Sequence, residues 1–224
     1  MPFNDVAKGQ MLDALDETAV TPTVLINNIG IFTAADPGTG TNYTGTEATG
    51  GSPVYARQAV TWGAASAGQK ANTNALTFDV PAGTYGFFGL FSASTGNSNT
   101  YRGHIPFGGS SAIKGFASVD TTLTNDQFLS VAHGLSDGDR LQLRGVFAEA
   151  LPTGTGLTAG ALLYVVNSAT NTFKVSTTLG GAAIDLTALG GGEIYWQRVV
   201  PEVFASQGQI TVAAGALVLD MTAI

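Results

Sequence analysis

ALTFDVPAGTYGFFGLFSA, residues 75–93, is the stretch on which the fold turns. It reads as two short strands, Ala75–Val80 and Thr84–Ala93, rich in β-branched and aromatic residues and parted by Pro81-Ala82-Gly83. The same texture runs outward from it: Thr23–Thr33, Val54–Trp62 and Thr100–Phe107 are predicted strands separated by Gly, Pro, Asn and Asp clusters, the pattern of a sandwich or barrel. The segment Gln209–Thr222 reads as a closing hairpin, its halves QITVA and ALVLDMT flanking the turn pair Ala214-Gly215. The long stretch from Ala34 to Pro53 holds almost nothing to bury, so it is expected to lie on a surface or on a partner.

Between about Ser110 and Arg198 the rhythm changes. Gln127–Ala132, Arg140–Val146, Ala161–Val166, Thr172–Ser176 and Ala183–Leu186 read as strands separated by tight turns such as HGLSDGD and NSATN. Short strands in this number can close a small barrel of their own. The expected organisation is therefore all-β: a sandwich-like scaffold (1–110 and 198–224) carrying a small β-barrel-like inserted domain (111–197). One helix is expected at the N-terminus, capped by Asn4, with Ala7, Met11, Leu12 and Leu15 on one face. It either packs on its own β domain or docks on a neighbouring subunit.

Composition narrows the function classes. The chain has 224 residues and no cysteine, which rules out disulfides and thiolate metal sites. Charged residues are only 11%, against about 25% in ordinary soluble domains. Low charge favours association, so surface hidden against partners is one explanation and a neutral Gly/Ala/Thr-rich exterior is the other. No apolar run approaches the roughly 20 residues of a membrane span, and the first residues are too polar for a signal peptide. The net charge is −7 with nine basic residues scattered singly, which argues against nucleic-acid binding.

No catalytic pattern stands out. Of the two histidines, His133 sits in a turn, where a polar residue beside Gly and Asp fixes the turn, and His104 lies in a predicted strand. Asp137 and Asp139 are too few for a calcium loop and read as turn-forming side chains. Glu47, Glu149, Glu193 and Glu202 each stand alone, without the carboxylate pair that glycoside hydrolysis requires. No cofactor or metal site is expected. The aromatic residues of the later segment, Phe147, Tyr164, Tyr195 and Trp196, either fill its core or are displayed to stack on sugars or anchor an interface.

Several of these motifs occur together elsewhere. Ala35-Asp36-Pro37-Gly38, Gly45-Thr46-Glu47, Tyr55-Ala56-Arg57-Gln58-Ala59-Val60-Thr61-Trp62-Gly63-Ala64-Ala65, the strand from Asn72 to Phe78, Gly89-Leu90-Phe91 and Ala214-Gly215-Ala216-Leu217 resemble a small family of tailed-bacteriophage tail fibre or minor tail proteins. The resemblance covers roughly 1–110 and 198–224. Phe87-Phe88 replaces the family's Thr-His before the GLF strand, and Ser92 the Asp after it. The segment between resembles a β module that recurs in phage tail and fibre proteins, through Ala132–Arg140, Leu157–Val166, Asn171–Ser176 and Gly180–Asp185. The resemblance implies a non-enzymatic structural component of a tailed-phage virion, tail-associated and of minor tail or fibre type, assembled in the host bacterial cytoplasm. It implies other virion proteins as partners and a homo-oligomer, with a trimer as the expected stoichiometry. A capsid decoration protein and a module binding a host-surface glycan are the alternatives.

Four residues are candidate interface anchors: Tyr55, Arg57, Tyr195 and Trp196. If Val54–Trp62 alternates as a strand with Val60 and Trp62 toward the core, Tyr55 and Arg57 face outward, and both types are enriched in interfaces. The competing reading pairs Arg57 with Glu47 on the surface, an interaction worth at most about 1 kcal/mol.

Overall fold

A computed structural model of the chain describes residues 26–35, 37–38, 40–108, 114–120, 123–146 and 150–220. The expected N-terminal helix, with Asn4, Ala7, Met11, Leu12 and Leu15, lies outside the described residues, as do Phe147 and Glu149. The described chain is almost entirely strand and turn, as its residue pattern led us to expect. It opens with β1 (Asn28–Thr33), β2 (Gln58–Ala59), β3 (Gln69–Ala71), β4 (Leu76–Val80), β5 (Gly83–Phe91) and β6 (Tyr101–Pro106). Next come β7 (Lys114–Val119), β8 (Phe128–Leu129), β9 (Arg140–Gly145), β10 (Thr153–Gly154), β11 (Leu162–Val166), β12 (Thr172–Ser176), β13 (Leu186–Ala188) and β14 (Ile194–Val199). The chain then returns through β15 (Glu202–Phe204), β16 (Gly208–Val212) and β17 (Val218–Asp220). Contacts divide it into two units, one within 1–110 and 201–224, the other within 111–200.

The first unit is built on β5. One edge pairs with β1, which in turn pairs with β2; the other edge carries β6 and then β15. Pro106 stands opposite Phe87, the Phe107 amide donates to the Gly86 carbonyl at 2.7 Å, and Glu202 stands opposite Tyr85. The partners on β5 thus run 87, 86, 85 without a gap, so β6 and β15 lie along one line as two halves of a single interrupted strand. Ile29, Ile31 and Leu90 on one face of this sheet share a core with Leu76, Phe78 and Val80 of β4 and Ile210 and Val212 of β16, which gives the sandwich-like packing. The opposite face is aromatic. Phe32, Phe91 and Tyr101 lie across it within ring-contact distance, and a Cβ added at Gly89 would collide with the rings of Phe32 and Phe91.

Two expectations need correction here. The C-terminal hairpin does not form: β16 pairs with β4 and β17 with β3, so the halves are recruited by different strands. Asn72 draws the turn between them inward. Its side chain donates to Ala213 O at 3.0 Å and accepts from the Leu217 amide at 2.8 Å, while its carbonyl accepts from the Gly215 amide at 2.7 Å. Val54–Trp62 is not one strand; only Gln58 and Ala59 pair with β1. The stretch after β1 lies on the surface, as expected, and is tied to its own sheet. The Thr33 amide donates to Thr46 O, the Ala48 amide donates to Ile31 O, and the Tyr43 ring sits 4.8 Å from that of Phe32. The loop covers the aromatic face of its own sheet through Tyr43, whose ring meets Phe32, Phe91 and Tyr101, while Ala48 joins the core on the other face.

The second unit is a closed six-stranded barrel in the order β11-β12-β8-β7-β14-β9, with β9 returning to β11. Phe128, Leu141, Leu143, Leu163, Val165, Phe173 and Trp196 fill it. The inserted stretch therefore supplies two barrel strands that its sequence pattern did not reveal, β7 and β14. The barrel strand expected over Gln127–Ala132 shortens to Phe128–Leu129, and the one expected at Ala183–Leu186 moves to Leu186–Ala188, where it pairs with β10 beside the barrel. β7 and β14 are antiparallel neighbours with Lys114 opposite Gln197, so the chain enters and leaves this unit side by side. A boundary at 197 would cut β14, whose Arg198 and Val199 still pair with Leu141 and Arg140.

Candidate interface residues and the buried clamp

Arg57 does not face outward. Its side chain is 4% exposed, and Nε and Nη2 donate to Glu47 Oε1 and Oε2, each at 2.7 Å, the two-pronged geometry that suits a guanidinium to a carboxylate. Nη1 reaches the Ala93 carbonyl at 3.2 Å, and the guanidinium lies 3.4 Å over the Phe91 ring. The Tyr55 hydroxyl donates to Glu47 Oε1 at 3.0 Å and accepts from the Ile31 amide at 2.8 Å. Gly30 leaves the room: a Cβ there would come within 2.8 Å of Glu47 Oε1 and of Phe91. The outward orientation expected of Tyr55 and Arg57 is thus corrected. Alternation holds only in a regular strand, and the chain at Tyr55–Arg57 is irregular, with only Gln58 and Ala59 paired to β1. Val60 and Trp62 do pack against the core.

The clamp makes the fold sensitive to alkali. Burial, and then the Glu47 charge, push the Tyr55 hydroxyl far above its ordinary 10.0, and burial also raises Tyr43 and Tyr85. The folded state therefore holds these protons more tightly than the unfolded chain does. That stabilisation is complete below about pH 10 and is lost as pH rises further. Thermal melts at stepped pH should hold a level midpoint to roughly pH 9.5 and then fall. Tyr55→Phe should lower the midpoint at pH 7, where the Ile31 amide loses its acceptor, and should flatten the alkaline fall. An alkaline slope equal to wild type would show that Tyr55 is not the responsible group.

In the barrel, Trp196 is a core residue. It is 1% exposed, its indole crosses the backbone of Gly115, and Nε1 donates to Ser130 Oγ at 3.0 Å, which donates on to the Phe116 carbonyl at 2.7 Å. Trp196 is therefore a core side chain and not an outward-projecting anchor. Tyr195 is half-buried, edge-on to Phe116 at 5.8 Å between ring centres, and Phe116 is 47% exposed. The structure therefore brings Tyr55 to Arg57 and sets Tyr195 beside Phe116. His133 fixes its turn through both ring nitrogens: Nε2 donates to Thr172 O at 3.1 Å and Nδ1 accepts from the Leu135 amide at 3.0 Å. Asp137 accepts from the Ser168 amide and Asp139 from the Ser136 amide.

The clamp joins three motifs that are distant in sequence: Gly45-Thr46-Glu47, Tyr55-Ala56-Arg57-Gln58 and Gly89-Leu90-Phe91. A family model described as podophage GP4 fiber I protein gp80 matches residues 2–134, more than half of the chain. The chain belongs to this family. The match takes in the clamp, β1 to β6, and the barrel as far as the turn after β8. It stops at residue 134, so it runs further into the second unit than the resemblance read from the motifs and does not include 198–224. Membership of a phage fibre family supports a structural role in a virion. No curated protein and no solved structure matches the chain. The exposed aliphatic residues beside Phe116, Leu129 at 40% and Val131 at 86%, escaped sequence reading. Their only signal was the alternation of Leu129 and Val131 with the buried Phe128 and Ser130.

Proposed function

We propose that this chain is a non-enzymatic structural component of a podophage tail, of fibre or minor-tail type, that acts as a homo-oligomer, with a trimer as the working stoichiometry. It is assembled in the host cytoplasm onto other virion proteins. The match to a podophage fibre family over residues 2–134 carries this reading. In this reading the scaffold supplies the attachment to the tail, and the barrel is an inserted module with its own core. The low charge content, 11%, fits a surface committed to neighbours. Quantitative mass spectrometry of purified particles, with antibody labelling in the electron microscope, tests it. Label on the tail and about three or six copies per ring of a symmetric assembly are expected. Label spread over the head in hundreds of copies would mean a decoration protein. A strictly monomeric chain absent from particles would end the structural reading.

A further inference from the structure

The barrel is closed, but its wall has a seam. β7 pairs with β14 along Lys114–Ala117, whereas on its other side it pairs with β8 only at Ser118 and Val119. A groove of about 510 Å3 follows the unpaired half of that edge. Trp196 and His133 are among the groups that line it, and Phe116, Leu129 and Val131 line it with exposed apolar surface.

The main chain in the groove is poised for pairing. The Phe116 carbonyl accepts from Ser130 Oγ on the side away from β14. Within a strand the N–H and C=O of one residue point to the same side, so the Phe116 amide also points into the groove, where no strand lies beside it among the described residues. An open strand edge is a template for another strand, and proteins usually blunt one with charge. Here Phe116, Leu129 and Val131 stand on the rim beside the uncharged Ser118 and Ser130, and the charges stand at the two ends. Lys114 faces Gln197 at one end, and Glu193 precedes Ile194, which faces Ala117, at the other. Four residues of extended chain span about 13 Å.

We propose that this groove receives an extended polypeptide segment of a neighbouring virion protein, which adds as a strand to β7. An unpaired main-chain amide selects another main chain, as in strand addition generally. Alternate apolar side chains of the segment meet Phe116, Leu129 and Val131, with an acidic residue near Lys114 and a basic one near Glu193. This rests on the reading of the chain as a virion component.

Hydrogen exchange resolved to single residues, compared between the isolated full chain and purified particles, tests it. The Phe116 amide should exchange at least tenfold more slowly in particles, while Gly115 and Ala117, already paired with β14, change little. Val131→Asp, at an exposed position, should leave the melting temperature of the isolated chain unchanged and reduce the copies per particle severalfold. A chain present in particles with unchanged Phe116 exchange would overturn strand addition and leave the virion reading standing. Uniform slowing across Lys114–Ala132 with no maximum at Phe116 would mean simple covering and would overturn it too. Normal incorporation of Val131→Asp would count against the groove. A chain absent from particles would overturn both readings.

Discussion

Joining Phe107 directly to Glu202, with residues 108–201 removed, should leave the scaffold folded. Phe107 bonds to Gly86 and Glu202 pairs with Tyr85, so the joined chain runs along β5 in unbroken register. The shortened protein should be soluble, keep its β circular-dichroism signal and unfold in one cooperative transition. The control is register: joining Phe107 to Val203 instead turns every following side chain to the opposite face and should yield insoluble protein. Residues 111–200 made alone should fold as well, since their core is their own and their ends leave side by side at Lys114 and Gln197. If the in-register splice aggregates as the out-of-register one does, the barrel is not a separable insertion.

Arg57→Ala should cost the scaffold about 3–5 kcal/mol, because it strands the buried Glu47 carboxylate rather than merely losing a surface contact. Within a total stability of about 5–15 kcal/mol, the loss is large. Urea denaturation should show it as a shifted midpoint at unchanged slope. Arg57→Lys keeps the charge but not the two-pronged geometry and should recover only part. The double variant Glu47→Leu with Arg57→Met should recover most of the loss, since neither charge is then left alone. A cost below about 1 kcal/mol, the level of an exposed pair, would show that the clamp does not hold the loop.

How far the fold was legible depended on what fixed each element. β4, β5, β6, β9, β11 and β12 announced themselves because their residues combine β-propensity with Gly, Pro or Asn brackets. β7 did not, since Lys114-Gly115-Phe116-Ala117-Ser118-Val119 is shaped by barrel packing: Gly115 is small because Trp196 lies against it. The C-terminal hairpin failed for a related reason. Ala214-Gly215 is a sound local turn, but Asn72, nearly 150 residues earlier, decides which strands its arms join. Arg57 and Glu47 are both legible in the sequence, and so is a pairing between them. Their burial was not visible, because it depends on Gly30 and Phe91 opening a space that only the folded sheet defines.

The divided strand also imposes an order in time. As the chain leaves the ribosome, β5 emerges with half of one edge lacking its partner, and β4 waits for β16. The barrel can finish first, because every strand it needs lies between those halves. Once closed, it replaces a tether of roughly ninety residues with the few on either side of it, about three halvings of loop length and roughly 1.8 kcal/mol of closure entropy. The module in the middle thus serves as a folding splint for the protein that surrounds it.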